Sequence, residues 1–146
     1  MNPALKLGTS LQTIEEAEKQ LSIKFPEPMR EVMVVSNGLE IPPDWIFYPV
    51  FDQTNPRKTA SHIVYENTKG RWSYMVADFI CIAGNGTGNQ LVLKKEGELL
   101  SPDILVWDHE TNKTRKWSKT FDYVLSMAKK RVEKIEKQMN RNLKTN

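Results

Sequence analysis

Three short stretches of the sequence hold residue types able to do chemistry. The first is Ala83-Gly84-Asn85-Gly86-Thr87-Gly88-Asn89-Gln90, whose glycines would let the backbone close on a phosphate and present its amides. Such a cradle needs a helix opening directly after the glycines, usually with a lysine in the loop. Here Gln90 to Lys94 reads as a returning strand, so the stretch predicts a tight hairpin in which Gly and Asn supply the positive torsions. The second stretch is Asp108-His109-Glu110, which could serve metal binding or acid–base work. Strand neighbours point to opposite faces, so only the two carboxylates share a side. The one other histidine, His62, falls on a predicted helix. The third is the single cysteine, Cys81, whose neighbours Phe79, Ile80, Ile82 and Ala83 mark it as a small buried hydrophobe. No serine or cysteine sits in a recognisable nucleophile elbow. The residues thus predict a binding protein with no catalytic site, no metal site and no cofactor.

Two broader features bear on partners. Trp45, Trp72, Trp107 and Trp117 could stack on bases, but in a small α+β domain the stronger expectation is core or core edge. The net charge of +3 is unevenly placed, because seven basic residues and two acids follow position 128. The preceding 128 residues are mildly acidic. An acidic body with a basic last helix suits a basic protein partner better than a nucleic-acid groove, so no direct nucleic-acid contact is expected. No apolar run is long enough to span a bilayer, and Met1 to Ser10 lack the pattern of a secretory signal. The expectation is a cytoplasmic protein with no membrane contact.

The elements that must position these residues follow from periodicity. Thr13-Ile-Glu-Glu16 reads as a capping box opening a helix with Ile14, Ala17 and Leu21 on one stripe, ending before Phe25-Pro26. Pro28 suits the first turn of a second helix, with Met29, Val32 and Met33 facing inward and Asn37-Gly38 as its stop. A short strand is predicted around Ile46 to Val50, and a third helix between Pro56 and Gly70 through Ala60, Ile63 and Val64. An antiparallel meander then takes Trp72 to Val76, Asp78 to Ala83, Gln90 to Lys94, Ile104 to Asp108 and Thr114 to Trp117. Phe121, Val124, Leu125, Ala128, Val132, Ile135 and Met139 mark a long closing helix. The fold class is α+β: an antiparallel-rich mixed sheet with helices on one face, an N-terminal helix pair and a long C-terminal helix, the other sheet face being open. Residues 1–146 are expected to form one domain, with 1–10 and 140–146 as flexible ends.

Taken together, Ile14 to Leu21, the Phe25-Pro26 step, the helix ending in Ser36-Asn37-Gly38, the Gly84 to Asn89 turn and Val106-Trp107-Asp108-His109-Glu110 resemble the SUKH superfamily. That group includes yeast cell-wall-synthesis regulators and many bacterial immunity proteins. Asn85 departs from the family pattern, which commonly has an acid beside the first glycine of the turn. The resemblance implies function by binding: a bacterial immunity protein that neutralises a cognate polymorphic toxin, often a nuclease, in the producing cell. Joined to the acidic body, it nominates Asp44, Trp45, Asp52, Asp108 and Glu110 as toxin contacts. The carboxylates would mimic phosphate or pair with toxin Lys and Arg, and Trp45 would be the desolvated anchor. The alternatives are a non-enzymatic regulatory scaffold and a nucleotide- or nucleic-acid-binding domain using Gly84 to Gly88 and the last helix.

Overall fold

The computed structural model describes residues 7–144. Its first helix, α1 (Leu11–Leu21), starts three residues before the predicted capping box, with Ser10 as N-cap accepting from the Thr13 amide at 3.2 Å. Thr13 holds the position the template reserves for Glu or Gln, and its hydroxyl meets Ser10 Oγ at 3.0 Å. The chain leaves α1 through Ser22 in the left-handed region and enters α2 (Glu27–Val35) with Pro28 in its first turn. Here Asn37-Gly38 is not the helix stop, since Ser36 is already extended. Instead the Asn37 amide accepts from Val50 N–H and donates to Val50 C=O, both at 2.9 Å, and fastens the start of the sheet to a loop.

The sheet comprises β1 (Leu39–Ile41), β2 (Trp45–Phe47), β3 (Phe79–Gly84), β4 (Gln90–Glu96), β5 (Leu99–Leu100), β6 (Leu105–Trp107) and β7 (Thr114–Lys116). Strand order is β1-β2-β3-β4-β6-β7, with β5 added to β4, and every ladder is antiparallel. The parallel element is the isolated Lys24–Leu99 bridge. The aromatic run Trp72 to Val76 is not a strand. It belongs to a winding connection between β2 and β3 that includes only the one-turn helix α3 (Ile63–Glu66). Arg71 holds this connection down by donating to Phe79 C=O at 2.7 Å and to Val76 C=O. Side-chain bonds thus replace ladder bonds, which is why β propensity misleads here.

Helices α1, α2 and α4 (Phe121–Lys144) cover one sheet face, packing Ile14, Met29, Val32, Val124 and Ala128 against Ile80, Ile82, Leu91, Leu93 and Val106. The opposite face is not open as expected. Met75, Cys81, Val92 and Trp107 form a second buried cluster beneath the β2–β3 connection, flanked by Tyr48, Phe79 and Leu105. Two covered faces explain why Ile80 to Ala83 are all buried, each fully buried aliphatic contributing about 2 kcal/mol. A register shift between Cys81 and Ala83 is the one irregularity in the β3–β4 ladder. Buried Asn67 joins α3 to β3 by donating to Ile63 C=O and Cys81 C=O, both at 2.8 Å, and accepting from Cys81 N–H at 2.7 Å. Helix α4 continues through the predicted fraying point at Asn140 to Lys144. At the other end Thr9 is buried and donates to Asp52 at 2.7 Å, while residues 1–6 and 145–146 lie outside the described residues.

Candidate functional site

The strand order decides where the candidate residues meet. Three hairpin reversals join β1 to β2, β3 to β4 and β6 to β7, closing after the pairs Ile41–Trp45, Gly84–Gln90 and Trp107–Thr114. These hairpins lie side by side in one antiparallel sheet, so all three reversals fall at the same end. At about 4.8 Å per strand the rim they form is about 24 Å wide. Asp44 is exposed in the first turn, and Trp45 follows it, half-buried against the helix-side core. Asp108 and Glu110 occupy the third turn.

The glycine turn is the middle reversal, and aromatic rings close on it. Trp72 donates its indole N–H to Gly88 C=O at 3.1 Å and stacks on the His109 ring, 5.4 Å between centroids at 23°. Gly88 has φ +107°, and a Cβ there would come within 3.0 Å of both rings. The residue must be glycine for torsion and for space. Tyr74 donates to His109 C=O and contacts Trp72 and Trp107, with centroids at 5.6 and 5.7 Å. Below them Trp107, 0% exposed, donates to Asn112 at 2.8 Å. Trp72 and Tyr74 stay 37% and 46% exposed. The stack therefore has a buried base and an open top.

His109 is fixed from the side of Asn89. The Asn89 oxygen accepts the His109 amide at 3.1 Å and lies 2.7 Å from Nδ1, which places the ring hydrogen on Nδ1 and leaves Nε2 directed outward. Nε2 lies 4.0 Å from Glu110 Oε1, a carboxylate 80% exposed. Asp108 is half-buried and takes the amides of Glu110 and Thr111 at 2.8 and 3.3 Å on one oxygen. Asn85 accepts from the Thr87 amide at 3.0 Å and from its hydroxyl at 2.6 Å. This can hold a charge-complementary surface in place, but it offers a phosphate no helix N-terminus. Among the described residues no group of three or more His, Cys, Asp or Glu is placed to hold a metal ion. No helix among them is long and apolar enough to cross a membrane.

The model of the SMI1/KNR4 family (SUKH-1) matches residues 8–127, a span taking in the helix pair, all three turns and the start of α4. The chain belongs to the SUKH-1 family. No curated protein matches it. SUKH-1 membership supports a general immunity role.

Within this SUKH-1 fold the rim gathers four of the five nominated contacts, Asp44, Trp45, Asp108 and Glu110. Asp52 is elsewhere. It is 6% exposed and accepts from Thr9, from the Thr54 amide at 2.9 Å and from the Thr54 hydroxyl at 2.6 Å, so its carboxylate is bound internally. His62 caps α3, its Nδ1 accepting from Tyr65 N–H at 3.1 Å, and burial lowers its pKa. Cys81 lies in the second-face core, where burial pushes its thiol up to about 12 despite the opposing charge of Arg71. Sequence reasoning missed Trp72 and Tyr74 as surface residues. Their i, i+2 spacing puts two aromatics on one side of an extended segment, but nothing local says that this segment folds over the glycine turn.

Proposed function

We propose that this SUKH-1 chain is an immunity protein that neutralises a cognate toxin of the nuclease type, in the cytoplasm of the cell that makes both, by laying the turn rim over the toxin's active site. The exposed yet immobilised Trp72–Tyr74–His109 stack beside Glu110 carries this reading. A ring held by hydrogen bonds on Gly88 and His109 loses little freedom on binding, and rigid aromatics with a polar edge are the usual anchors of protein interfaces. Asp44 in the first turn and Asp108 and Glu110 in the third, against the single cation Lys113, give the rim an acidic bias suited to the basic groove in which a nuclease holds its substrate. Trp45 adds apolar area at the far end of the rim. A surface about 24 Å across is in the range of a standard interface. The protein then works by binding alone and needs no cofactor.

The test is co-expression with the nuclease domains of toxins encoded beside its gene, read as colony formation and as complex formation by titration calorimetry. Growth rescue with a stable complex is expected, and Trp72→Ala or Glu110→Lys should weaken both. Failure to rescue or bind any such domain overturns the proposal.

A further inference from the structure

A second surface lies off the β1 edge, between α4, the loop around Lys58 and the start of the sheet. It is an open groove of about 1140 Å³, larger than the roughly 300–1,000 Å³ that encloses a small ligand. Its size suits a length of polypeptide. Four cations line it: Lys58, Lys130, Arg131 and Lys134. The ion pairs among the described residues are Arg30–Glu18 and His109–Glu110, so the three lysines have no contact partner of opposite sign there. Arg131 is fixed differently, donating to Ser36 Oγ at 2.6 Å and Gly38 C=O at 3.2 Å. That contact locks the basic face of α4 toward the groove. Lys130 and Lys134, exposed on the same helix, line the groove beside Arg131.

The rest of the lining selects among anions. Leu7 and, on α4, Met127 are half-buried and give the lining an apolar part. The one aromatic residue of the lining, Phe47, is buried in the helix-side core and offers no face to a nucleobase. Of the two carboxylates in the lining, Asp52 is bound internally, and Glu40, paired with Ile46 in the β1–β2 ladder, alternates with Leu39 and Ile41 and so lies on the sheet face away from α4. We infer that this groove binds an acidic segment of a protein partner in which Asp or Glu alternates with aliphatic residues. The carboxylates would meet Lys58, Lys130 and Lys134, and the aliphatic side chains would meet Leu7 and Met127. This site is separate from the turn rim and does not depend on the toxin's identity.

The probe is a fluorescein-labelled nine-residue peptide of alternating Glu and Leu, titrated into the full chain by anisotropy and mapped by backbone amide shifts. Shifts confined to the groove, at Gly38, Asn55, Lys58, Met127 and Lys134, are expected. Affinity should fall about tenfold in the folded double variant Lys130→Glu/Lys134→Glu, the size of effect seen when close charge pairs are removed. It should be retained in Lys94→Glu/Lys116→Glu, which reverses two exposed lysines elsewhere. A Gln–Leu peptide should not bind. Equal affinity in the two double variants, binding of the Gln–Leu peptide, or shifts spread over other lysines overturns the inference. Tighter groove binding by a single-stranded RNA of equal charge than by the peptide also overturns it, in favour of nucleic acid. Failure here leaves toxin neutralisation through the rim intact, because the peptide assay contains no toxin.

Discussion

The corner between α1 and α2 and the turn rim both set carboxylates among hydrogen-bond donors, and they use them in opposite ways. At the corner Glu18 is buried, accepting the Phe25 amide at 2.6 Å on one oxygen and taking the Arg30 guanidinium on both. Every strong donor within reach is the protein's own. At the rim Glu110 makes one distant approach to His109 and otherwise faces solvent. A carboxylate whose partners are internal holds the fold, and one left open is available to a partner. The same contrast separates Asp52 from Asp44, two residues that the sequence presents alike.

The comparison breaks most visibly if the two glutamates have equal effects on stability. Removing Glu18 strands the Arg30 charge in a site where its side chain is only 16% exposed, so Glu18→Ala should cost about 3 kcal/mol, toward the lower end for a broken buried pair. Glu110→Ala should stay within about 0.5 kcal/mol. Urea denaturation of both variants measures the difference. The reverse pattern should hold for binding. Trp72→Ala should lose about 2 kcal/mol of partner affinity, as a central aromatic anchor does, measured by calorimetry against the toxin domain, while Glu18→Ala, once folded, binds normally. A Trp72→Ala protein of full affinity would remove the stack from the interface.

Legibility in the sequence follows the same division. The helix stripes Ile14–Ala17, Met29–Val32–Met33 and Phe121–Val124–Ala128 were readable because periodicity depends only on local spacing, and each packs as expected. The glycine hairpin and the strands around it were readable too. The start of α1 was not, since Thr13-x-x-Glu16 and Ser10-x-x-Thr13 offer competing caps and only tertiary placement of Thr9 on Asp52 favours the earlier one. The covered second face was missed for a related reason. Long-range bonds, from Arg71 to Phe79 and from Trp72 to Gly88, fold the β2–β3 connection back over the sheet, and no local pattern encodes them. Of the nominated residues, Asp44, Trp45, Asp108 and Glu110 share the rim because hairpins alternate direction, whereas Asp52 was chosen by charge alone and charge does not report burial.

Smaller effects sharpen the boundary between scaffold and surface. Gly88→Ala forces an L-residue into φ +107° and a Cβ against Trp72 and His109, so about 1 kcal/mol of stability should be lost. The damage should be local, with amide exchange rising around Gly88 and His109 while the α1–α2 corner stays protected. Gly86, with φ +82° but nothing within 4 Å of a Cβ, should show the torsional cost without disturbing the stack. Comparing the two alanine variants by indole fluorescence isolates the steric part, and an identical spectrum for both would show that Trp72 does not depend on the space beside Gly88.

The smallest effect is a pH dependence, and it belongs to the scaffold. His62 caps α3 as a neutral ring, because Nδ1 must have a free lone pair to accept the Tyr65 amide. Burial lowers its folded pKa below the ordinary value of 6.5, so the unfolded chain takes up the proton first as pH falls. The stability His62 contributes is present above about 6.5 and is lost as pH drops through the lowered folded value. Glu66 in the same helix shifts the other way, its pKa raised by burial, so its stabilisation is full at low pH and fades as pH rises past that raised value. A direct comparison of wild type with His62→Asn removes the Glu66 contribution, since both proteins carry it. Asparagine keeps an N-cap acceptor that does not titrate. Urea midpoints measured from pH 8 to pH 5 should therefore fall further in wild type than in the variant, with the gap opening below pH 7. Parallel curves would mean that His62 does not accept the Tyr65 amide in solution, so that protonating the ring removes no cap bond.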